Sequence, residues 1–96
     1  MKPSVLLNQY RDQVRSIALS HRVASVKVFG SVLHGNDAEG SDLDLLVEPT
    51  AQTTLFDIGG IQFEVSELLG IHVDVLTPSA LPESFRARVL AEARAL

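Results

Sequence analysis

The sequence predicts an α/β fold in which a small mixed sheet carries helices on one face. Three apolar segments with the two-residue alternation of strands support this prediction: Val26–Phe29, Asp42–Val47 and Ile71–Leu76. Segments with helical spacing precede, separate and follow them, which is the element order of an α/β domain. With 96 residues in the chain, we expect residues 1–96 to form a single domain.

The first helix is predicted from apolar residues that recur at spacings of four, four and three, namely Leu6, Tyr10, Val14 and Ile17. Pro3 suits the first turn of this helix, where a missing N–H group costs nothing. We expect the helix to end near His21 and to lead into the first strand.

A Gly-Ser pair ends the first strand. Gly30 follows the apolar residues Val26–Phe29 and permits a tight turn that other residues resist. Ser31 is predicted to cap a short helical segment that ends at Gly35. The first N–H groups of such a segment have no helical partner, so they suit phosphate oxygens.

Two aspartates open the second strand. Asp42 and Asp44 occupy alternate positions, so their carboxylates are expected to share one face of the sheet. Leu43, Leu45 and Val47 point to the other face and are expected to be buried. Their burial sets the strand register, because a slip by one residue would drive both aspartates into the core.

A third carboxylate comes from Asp74, which projects opposite the apolar side chains of its strand. If this strand neighbours the second, the carboxylates of Asp42, Asp44 and Asp74 converge. Such like charges call for a cation, and oxygen ligands with open positions suit Mg²⁺. Two ions roughly 3.5 to 4 Å apart are usual for nucleotidyl displacement, so we expect a site for two Mg²⁺ ions. His72 shares the face of Asp74 and is expected to contact it or to be structural.

The remaining segments complete the predicted architecture. Thr54 and Asp57 fit a capping box for a second long helix that ends at Gly70, and the Gly59-Gly60 pair inside this helix indicates close packing of a neighbour. The loop at positions 36–40 is rich in turn formers, so its acids Asp37 and Glu39 are expected to be solvated. A last helix is predicted from Phe85, Val89, Ala93 and Leu96.

Helices on one face would leave Phe29, Leu46 and Leu76 exposed on the carboxylate side. An apolar surface of this kind predicts a homo- or hetero-oligomer. The 12 acidic and 8 basic residues give a net charge of −4, which argues against binding of long nucleic acid. Cysteine is absent, and neither a signal peptide nor a membrane span is evident, so the expected location is cytoplasmic without membrane contact.

Gly30-Ser31, ten intervening residues, Asp42-x-Asp44 and a later Asp74 together resemble the signature of the DNA polymerase β type nucleotidyltransferase superfamily. The chain is most similar to the minimal nucleotidyltransferases, small domains often paired with a HEPN-domain protein in toxin–antitoxin modules. One position departs from that family, in which an arginine commonly precedes the glycine that closes the Gly-Ser turn. Here that position is His34.

The resemblance implies the nucleotidyltransferase fold and a catalytic site in which Asp42 and Asp44 hold both Mg²⁺ ions. Asp74 would complete the shell of the catalytic ion and help to deprotonate the acceptor, while Gly30 and Ser31 would bind the β and γ phosphates. The implied reaction transfers a nucleoside monophosphate, most simply AMP from ATP rather than from another NTP, to a hydroxyl group. The implied acceptor is a tyrosine of a HEPN toxin, which would make this chain an antitoxin.

Two alternatives stay open at this point. The first is a binding antitoxin or assembly subunit that neutralises a HEPN partner by covering it, which the replacement of arginine by His34 favours. The second is nucleotidyl transfer to a small-molecule hydroxyl. That reaction is less expected, because the chain offers no second domain to form an acceptor pocket.

Overall fold

A four-stranded mixed sheet forms the centre of the structure, a computed structural model that describes residues 1–96. The strands are β1 (Val23–Phe29), β2 (Leu43–Pro49), β3 (Val73–Leu76) and β4 (Arg94–Ala95), and their order in the sheet is β3-β2-β1-β4. β1 is antiparallel to both β2 and β4, whereas β2 and β3 are parallel. The predicted α/β class and the mixed sheet are therefore confirmed, whereas the prediction that helices cover only one face is wrong, because the last helix packs on the other.

Four helices pack around this sheet: α1 (Pro3–Leu19), α2 (Gly30–His34), α3 (Leu55–Leu69) and α4 (Glu83–Glu92). A 3₁₀ turn at Pro78–Ala80 leads into α4. The predicted capping box is present, because the Thr54 hydroxyl accepts from the Asp57 N–H and the Asp57 carboxylate accepts from the Thr54 N–H. No helix combines the length and the apolar character needed to span a bilayer.

α1 buries a slightly different stripe from the predicted one. Its fully buried residues are Pro3, Leu7, Val14 and Ala18, and the predicted Leu6, Tyr10 and Ile17 are only partly buried against the core. The backbone of Tyr10 leaves helical geometry, with φ −117° and ψ 22°. This kink turns the two halves of α1 relative to each other. A buried stripe predicted with one helical period for the whole helix therefore does not match the residues that are buried.

α1 and α3 cover one side of the sheet, which we call the back face. Leu43, Leu45 and Val47 of β2 point to this face and have no exposed surface. Ile61 and Val65 of α3 are equally buried against them in a single cluster of fifteen apolar residues. The predicted alternation of β2 is confirmed, and the back face holds most of the apolar core.

α4 packs on the opposite side, which we call the front face because it carries Asp44 and Asp74. Phe29 and Leu46 lie there in a second apolar cluster with Leu81 and Val89. Phe29 and Leu46 are therefore buried, with 8% and 5% exposure, instead of wet as the sequence suggested. The prediction of an oligomer rests on the exposure of these residues. That reason does not hold, because the last helix of the same chain covers Phe29 and Leu46.

The chain leaves helical geometry earlier than predicted at its last residues. α4 ends at Glu92, Ala93 is extended, and Arg94–Ala95 pairs with Lys27 and Val28 of β1. The Arg15 guanidinium binds the Leu96 carbonyl oxygen at 2.6 and 3.1 Å. The hydrogen-bonding groups of the β1 edge explain the change, because pairing with them replaces further helical bonds.

Asp37 is buried, so the prediction that it is solvated is wrong. Its Oδ2 accepts a hydrogen bond of 2.7 Å from the Ser4 N–H in the first turn of α1. This bond lowers the pKa of the Asp37 carboxyl from its ordinary value of 3.8. The contact fastens the loop before β2 to the start of α1, so Asp37 acts as a remote helix cap.

The two glycines inside α3 differ in their surroundings. A Cβ atom on Gly60 would lie 2.5 Å from Cε1 of His21, whereas a Cβ on Gly59 would meet nothing within 4 Å. His21 is hydrogen-bonded to Glu64, and its Nδ1 lies 3.8 Å from an oxygen of Asp57. The predicted close packing is therefore present at Gly60, where the neighbour is the His21 ring that follows α1.

This difference predicts that alanine stabilises the protein at position 59 but not at position 60. Gly59→Ala should raise the free energy of unfolding by about 0.5 to 1 kcal/mol, because alanine is the better helix former and the space is open. Gly60→Ala should lose this gain, since the new methyl group displaces His21 from Glu64. In a His21→Ala background, Gly60→Ala should stabilise as Gly59→Ala does. Urea unfolding measures all four variants, and equal gains from both substitutions in the native background would contradict the contact.

Candidate active site

The pairing of β2 with β3 brings the acidic residues together. Asp44 and Asp74 are direct partners in this parallel pair, and both point to the front face. Asp42 immediately precedes β2 and lies two residues from Asp44, so it reaches the same region. The structure thus gathers the three aspartates that the sequence singled out.

An exposed group of donors forms the outer part of this site. One ligand atom from each of Asp42, His72 and Asp74 lies within 4.8 Å of the other two. His72 Nε2 and Asp74 Oδ1 are 3.0 Å apart. The sequence pattern placed His72 on this face, and the structure shows that it contacts Asp74 directly.

Asp44 forms the inner part of the site, directly against the backbone of Gly30. A Cβ atom at position 30 would overlap Oδ2 of Asp44 and would lie 3.2 Å from its Cγ. Gly30 also has a φ of +75°, which side chains strongly disfavour. Position 30 therefore requires glycine for two independent reasons, and the Gly-Ser turn is in contact with the Asp44 carboxylate.

The surroundings of Asp44 disfavour its negative charge. Burial, followed by the neighbouring charges of Asp74 and Asp42, raises the pKa of Asp44 to about 6 from an ordinary value of 3.8. His72 opposes this rise only in part. A carboxyl with a raised pKa marks a place where a cation would be favourable.

The Gly-Ser turn differs in one detail from its predicted form. Gly30 and Ser31 both belong to α2, Phe29 occupies the capping position, and no side chain caps this helix. The prediction that Ser31 is the cap is therefore wrong. The end of α2 at Gly35 is confirmed, with a φ of +72°.

A cleft of about 500 Å³ begins at Gly30 and runs between α2 and α4. Phe29 and Phe85 supply apolar walls, and Arg88 supplies a positive charge. His34 and Glu92 also line the cleft and bind each other, with 2.9 Å between Nε2 and Oε2. The sequence singled out His34 only as a replacement for arginine. Its partner lies 58 residues away, so no local pattern could reveal it.

The donors present fit divalent ions. Asp42, Asp44 and Asp74 offer carboxylate oxygens, the ligands that Mg²⁺ and Mn²⁺ prefer, and their mutual repulsion is relieved by positive charge. His72 adds one nitrogen donor next to Asp74.

Comparison with known proteins gives consistent results. The family model of the nucleotidyltransferase domain matches residues 7–96. A relative from Methanocaldococcus jannaschii, named "Putative protein adenylyltransferase", is 34% identical over 87 residues, which cover 91% of this chain and 94% of the relative. A solved structure described as a "putative minimal nucleotidyltransferase" is 38% identical, with a TM-score of 0.86 over 97% of this chain and 95% of that one.

A second solved structure is more distant. It is described as a "toxin-antitoxin with AMP-PNP", and it is 15% identical with a TM-score of 0.69. The match covers 83% of this chain and 66% of the other. At this identity the similarity shows a shared fold.

The raised pKa of Asp44 predicts a specific dependence of stability on pH. An ionised carboxylate whose pKa is higher in the folded state opposes folding, and this penalty grows between about pH 3.8 and 6 and is complete above pH 6. Asp44→Asn should therefore raise the melting temperature of the metal-free protein at pH 7.5. We expect several degrees, since about 1 kcal/mol after allowance for solvent screening corresponds to roughly 4 to 8 °C.

Near pH 4 the gain from Asp44→Asn should largely disappear, because the native carboxyl is then protonated in the folded state. Glu67→Gln, at an exposed site on α3, serves as the control and should give no such gain at pH 7.5. Thermal unfolding in EDTA at the two pH values decides the matter. An equal rise in the melting temperature of Asp44→Asn at both pH values would show that the charge of the Asp44 carboxylate is not the cause.

A second prediction separates the two reasons for glycine at position 30. Gly35→Ala meets only backbone strain, because nothing lies within 4 Å of a Cβ there, and it should cost about 1 to 2 kcal/mol. Gly30→Ala meets similar strain and also Asp44, so it should cost roughly 1 to 3 kcal/mol more. In an Asp44→Ala background this excess should vanish. Chemical denaturation of the single and double variants tests this contact. Additive changes in the free energy of unfolding for Gly30→Ala and Asp44→Ala would refute it.

Proposed function

The chain belongs to the nucleotidyltransferase domain family, and we propose that it transfers AMP from ATP to a hydroxyl group of a protein, with release of pyrophosphate. The observation that carries this proposal is the contact of Asp44 with Gly30, beside Asp42 and Asp74. It joins a turn suited to phosphate with a group of metal-binding oxygens. The protein-adenylyltransferase name of a relative with 34% identity supports the choice of AMP and of a protein acceptor.

In this proposal Asp42, Asp44 and Asp74 hold two Mg²⁺ ions together with the triphosphate. Divalent ions bound there supply positive charge that offsets the charge developing on the phosphate oxygens. The carboxylates position the α-phosphorus and the acceptor oxygen within one site. Placing both reactants lowers the entropic cost of bringing them together.

The proposed step forms a bond between the acceptor oxygen and the α-phosphorus and breaks the bond from the α-phosphorus to the bridging oxygen of the β-phosphate. Pyrophosphate leaves with that oxygen. The acceptor loses its proton to a carboxylate, a role that we give to Asp74, which lies beside His72 in the outer part of the site. Asp44 is less suited to this task because Gly30 covers it.

We assign the phosphate-binding role to Gly30 and Ser31, whose N–H groups begin α2. The cleft between α2 and α4 starts at Gly30 and has the volume of typical ligand pockets, so we place the nucleoside there. Arg88 is the positive side chain of the cleft and is suited to contact a phosphate. His34 binds Glu92 on the wall of this cleft, so we assign the positive contact to Arg88 and not to the position where the family commonly has arginine.

For the acceptor we propose a tyrosine of a HEPN-domain toxin, as in the family that the sequence resembles. Transfer to this tyrosine would inactivate the toxin, and the chain would then act as an antitoxin in the cytoplasm. This assignment rests on the resemblance and on the protein-adenylyltransferase name of the relative.

The binding alternative is favoured by a different surface. Phe56 and Phe63 on the outer side of α3 are 90% and 65% exposed, and Gly59 leaves a gap between them. Phe56 and Phe63 lie seven residues apart and hence on one side of the helix, and exposed apolar patches on such a surface are typical of sites that bind another protein. This stripe faces away from the sheet and hence from the carboxylates, so a partner bound to it would leave the active site untouched.

The test uses ATP labelled at the α-phosphate, divalent metal and the protein encoded by the neighbouring gene. We expect label on that protein from α-labelled ATP and none from γ-labelled ATP. Asp42→Ala with Asp44→Ala should reduce transfer by more than about 10³-fold, because the metal-binding oxygens are lost. Complex formation by the double variant should remain near that of the native protein.

Phe56→Ser with Phe63→Ser provides the matched comparison. It should weaken the complex in a pull-down or titration while leaving the carboxylates in place. If the aspartate variant still neutralises the toxin in cells as well as the native protein does, the function is covering of the partner and not transfer.

A further inference from the structure

His72 is the feature of the site that the family signature does not explain. Its side chain is 58% exposed, and its hydrogen bond goes to Asp74. A histidine with a structural role is usually packed among other side chains, but this one projects from the residue just before β3. The ring is therefore available to a ligand on the front face.

The position of His72 suits a shared ion. Two donor atoms at right angles around an ion, each about 2.1 Å from it, are roughly 3 Å apart. His72 Nε2 and Asp74 Oδ1 are separated by 3.0 Å, and an oxygen of Asp42 completes a group within 4.8 Å. Asp44 stands apart from this group, with its carboxylate against Gly30.

We propose that His72 is a direct ligand of the ion that Asp42 and Asp74 hold, and that it makes this position prefer a first-row transition ion such as Mn²⁺ over Mg²⁺. This inference rests on the proposed function, because it concerns the metal of the same site. Imidazole nitrogen is a better ligand for first-row transition ions than for Mg²⁺, which strongly favours oxygen. Mn²⁺ is the weakest binder of that row, but it accepts a nitrogen donor beside carboxylate oxygens more readily than Mg²⁺ does. The outer position thus has mixed nitrogen and oxygen donors, and the inner position near Asp44 has oxygen donors alone.

Affinity alone cannot establish this assignment. A histidine that only donates a hydrogen bond to Asp74 would also strengthen metal binding, by about 10- to 100-fold. Such a histidine would support Mg²⁺ and Mn²⁺ alike and would show no bond to the ion. The ratio of the two affinities and the presence of a nitrogen ligand are the measurements that separate the two roles.

The experiment uses Mn²⁺ with inorganic triphosphate, a probe that contains no nitrogen. Pulsed electron paramagnetic resonance of the bound Mn²⁺ should show coupling to a directly bound nitrogen in the native protein and none in His72→Gln. Calorimetric titration should show that His72→Gln lowers the ratio of Mn²⁺ to Mg²⁺ affinity by about tenfold or more. His21→Gln, at a histidine that packs against Gly60 of α3 and hydrogen-bonds to Glu64, should change neither result.

The outcomes also distinguish this inference from the proposed function. If Mn²⁺ binds, is lost in Asp42→Ala and shows no nitrogen coupling, His72 is not a ligand, although the metal-dependent transfer stands. An unchanged affinity ratio in His72→Gln likewise overturns the proposal. If neither ion binds even with triphosphate, both the His72 assignment and the two-metal site are wrong.

Discussion

The contact between the Asp44 carboxylate and the backbone of Gly30 sets the geometry of the whole site. It requires β1 and β2 to pair so that Phe29 lies opposite Asp44, and β2 and β3 to pair so that Asp44 lies beside Asp74. Both pairings depend on the back face, where Leu43 has no exposed surface. A slip of β2 by one residue would bury Asp44 and expose its apolar neighbours. The packing of the core therefore fixes the strand register that positions Asp44 in the site.

This contact also has an energetic consequence. The site partly removes Asp44 from water and also holds Asp74 and Asp42 close to it. Both effects raise the pKa of Asp44, to about 6, and oppose folding at neutral pH. The opposing stability comes mainly from the fifteen-residue cluster on the back face, which lies on the other side of the sheet. The same repulsion that weakens the fold favours a bound cation. Stability and ligand binding are thus divided between the two faces of one sheet.

The parts of the fold that the sequence predicts are those set by local alternation and by backbone chemistry. Leu43 and Asp44 point to opposite faces because successive residues of a strand alternate, and this alternation is visible in the sequence. Asp37 could not be predicted as buried, because its partner Ser4 is 33 residues away in another element. The packing of α4 on the front face could not be predicted for the same reason, because Val89 and Phe29 are far apart in the sequence and come together only in the folded chain. Contacts between distant segments leave no periodic signal.

The division between the faces also explains which positions can vary without loss of the fold. His72, beside Asp74, and His34, beside Glu92, both lie on the exposed surface, and neither belongs to either apolar cluster. The backbone of His72 is nevertheless well placed, because its carbonyl oxygen accepts from the Leu43 N–H at 3.1 Å and the following Val73 is fully buried. A side chain at position 72 is therefore aimed at Asp74 whatever its chemistry. It follows that the donor set of the site can change at this one position while the three aspartates keep their arrangement.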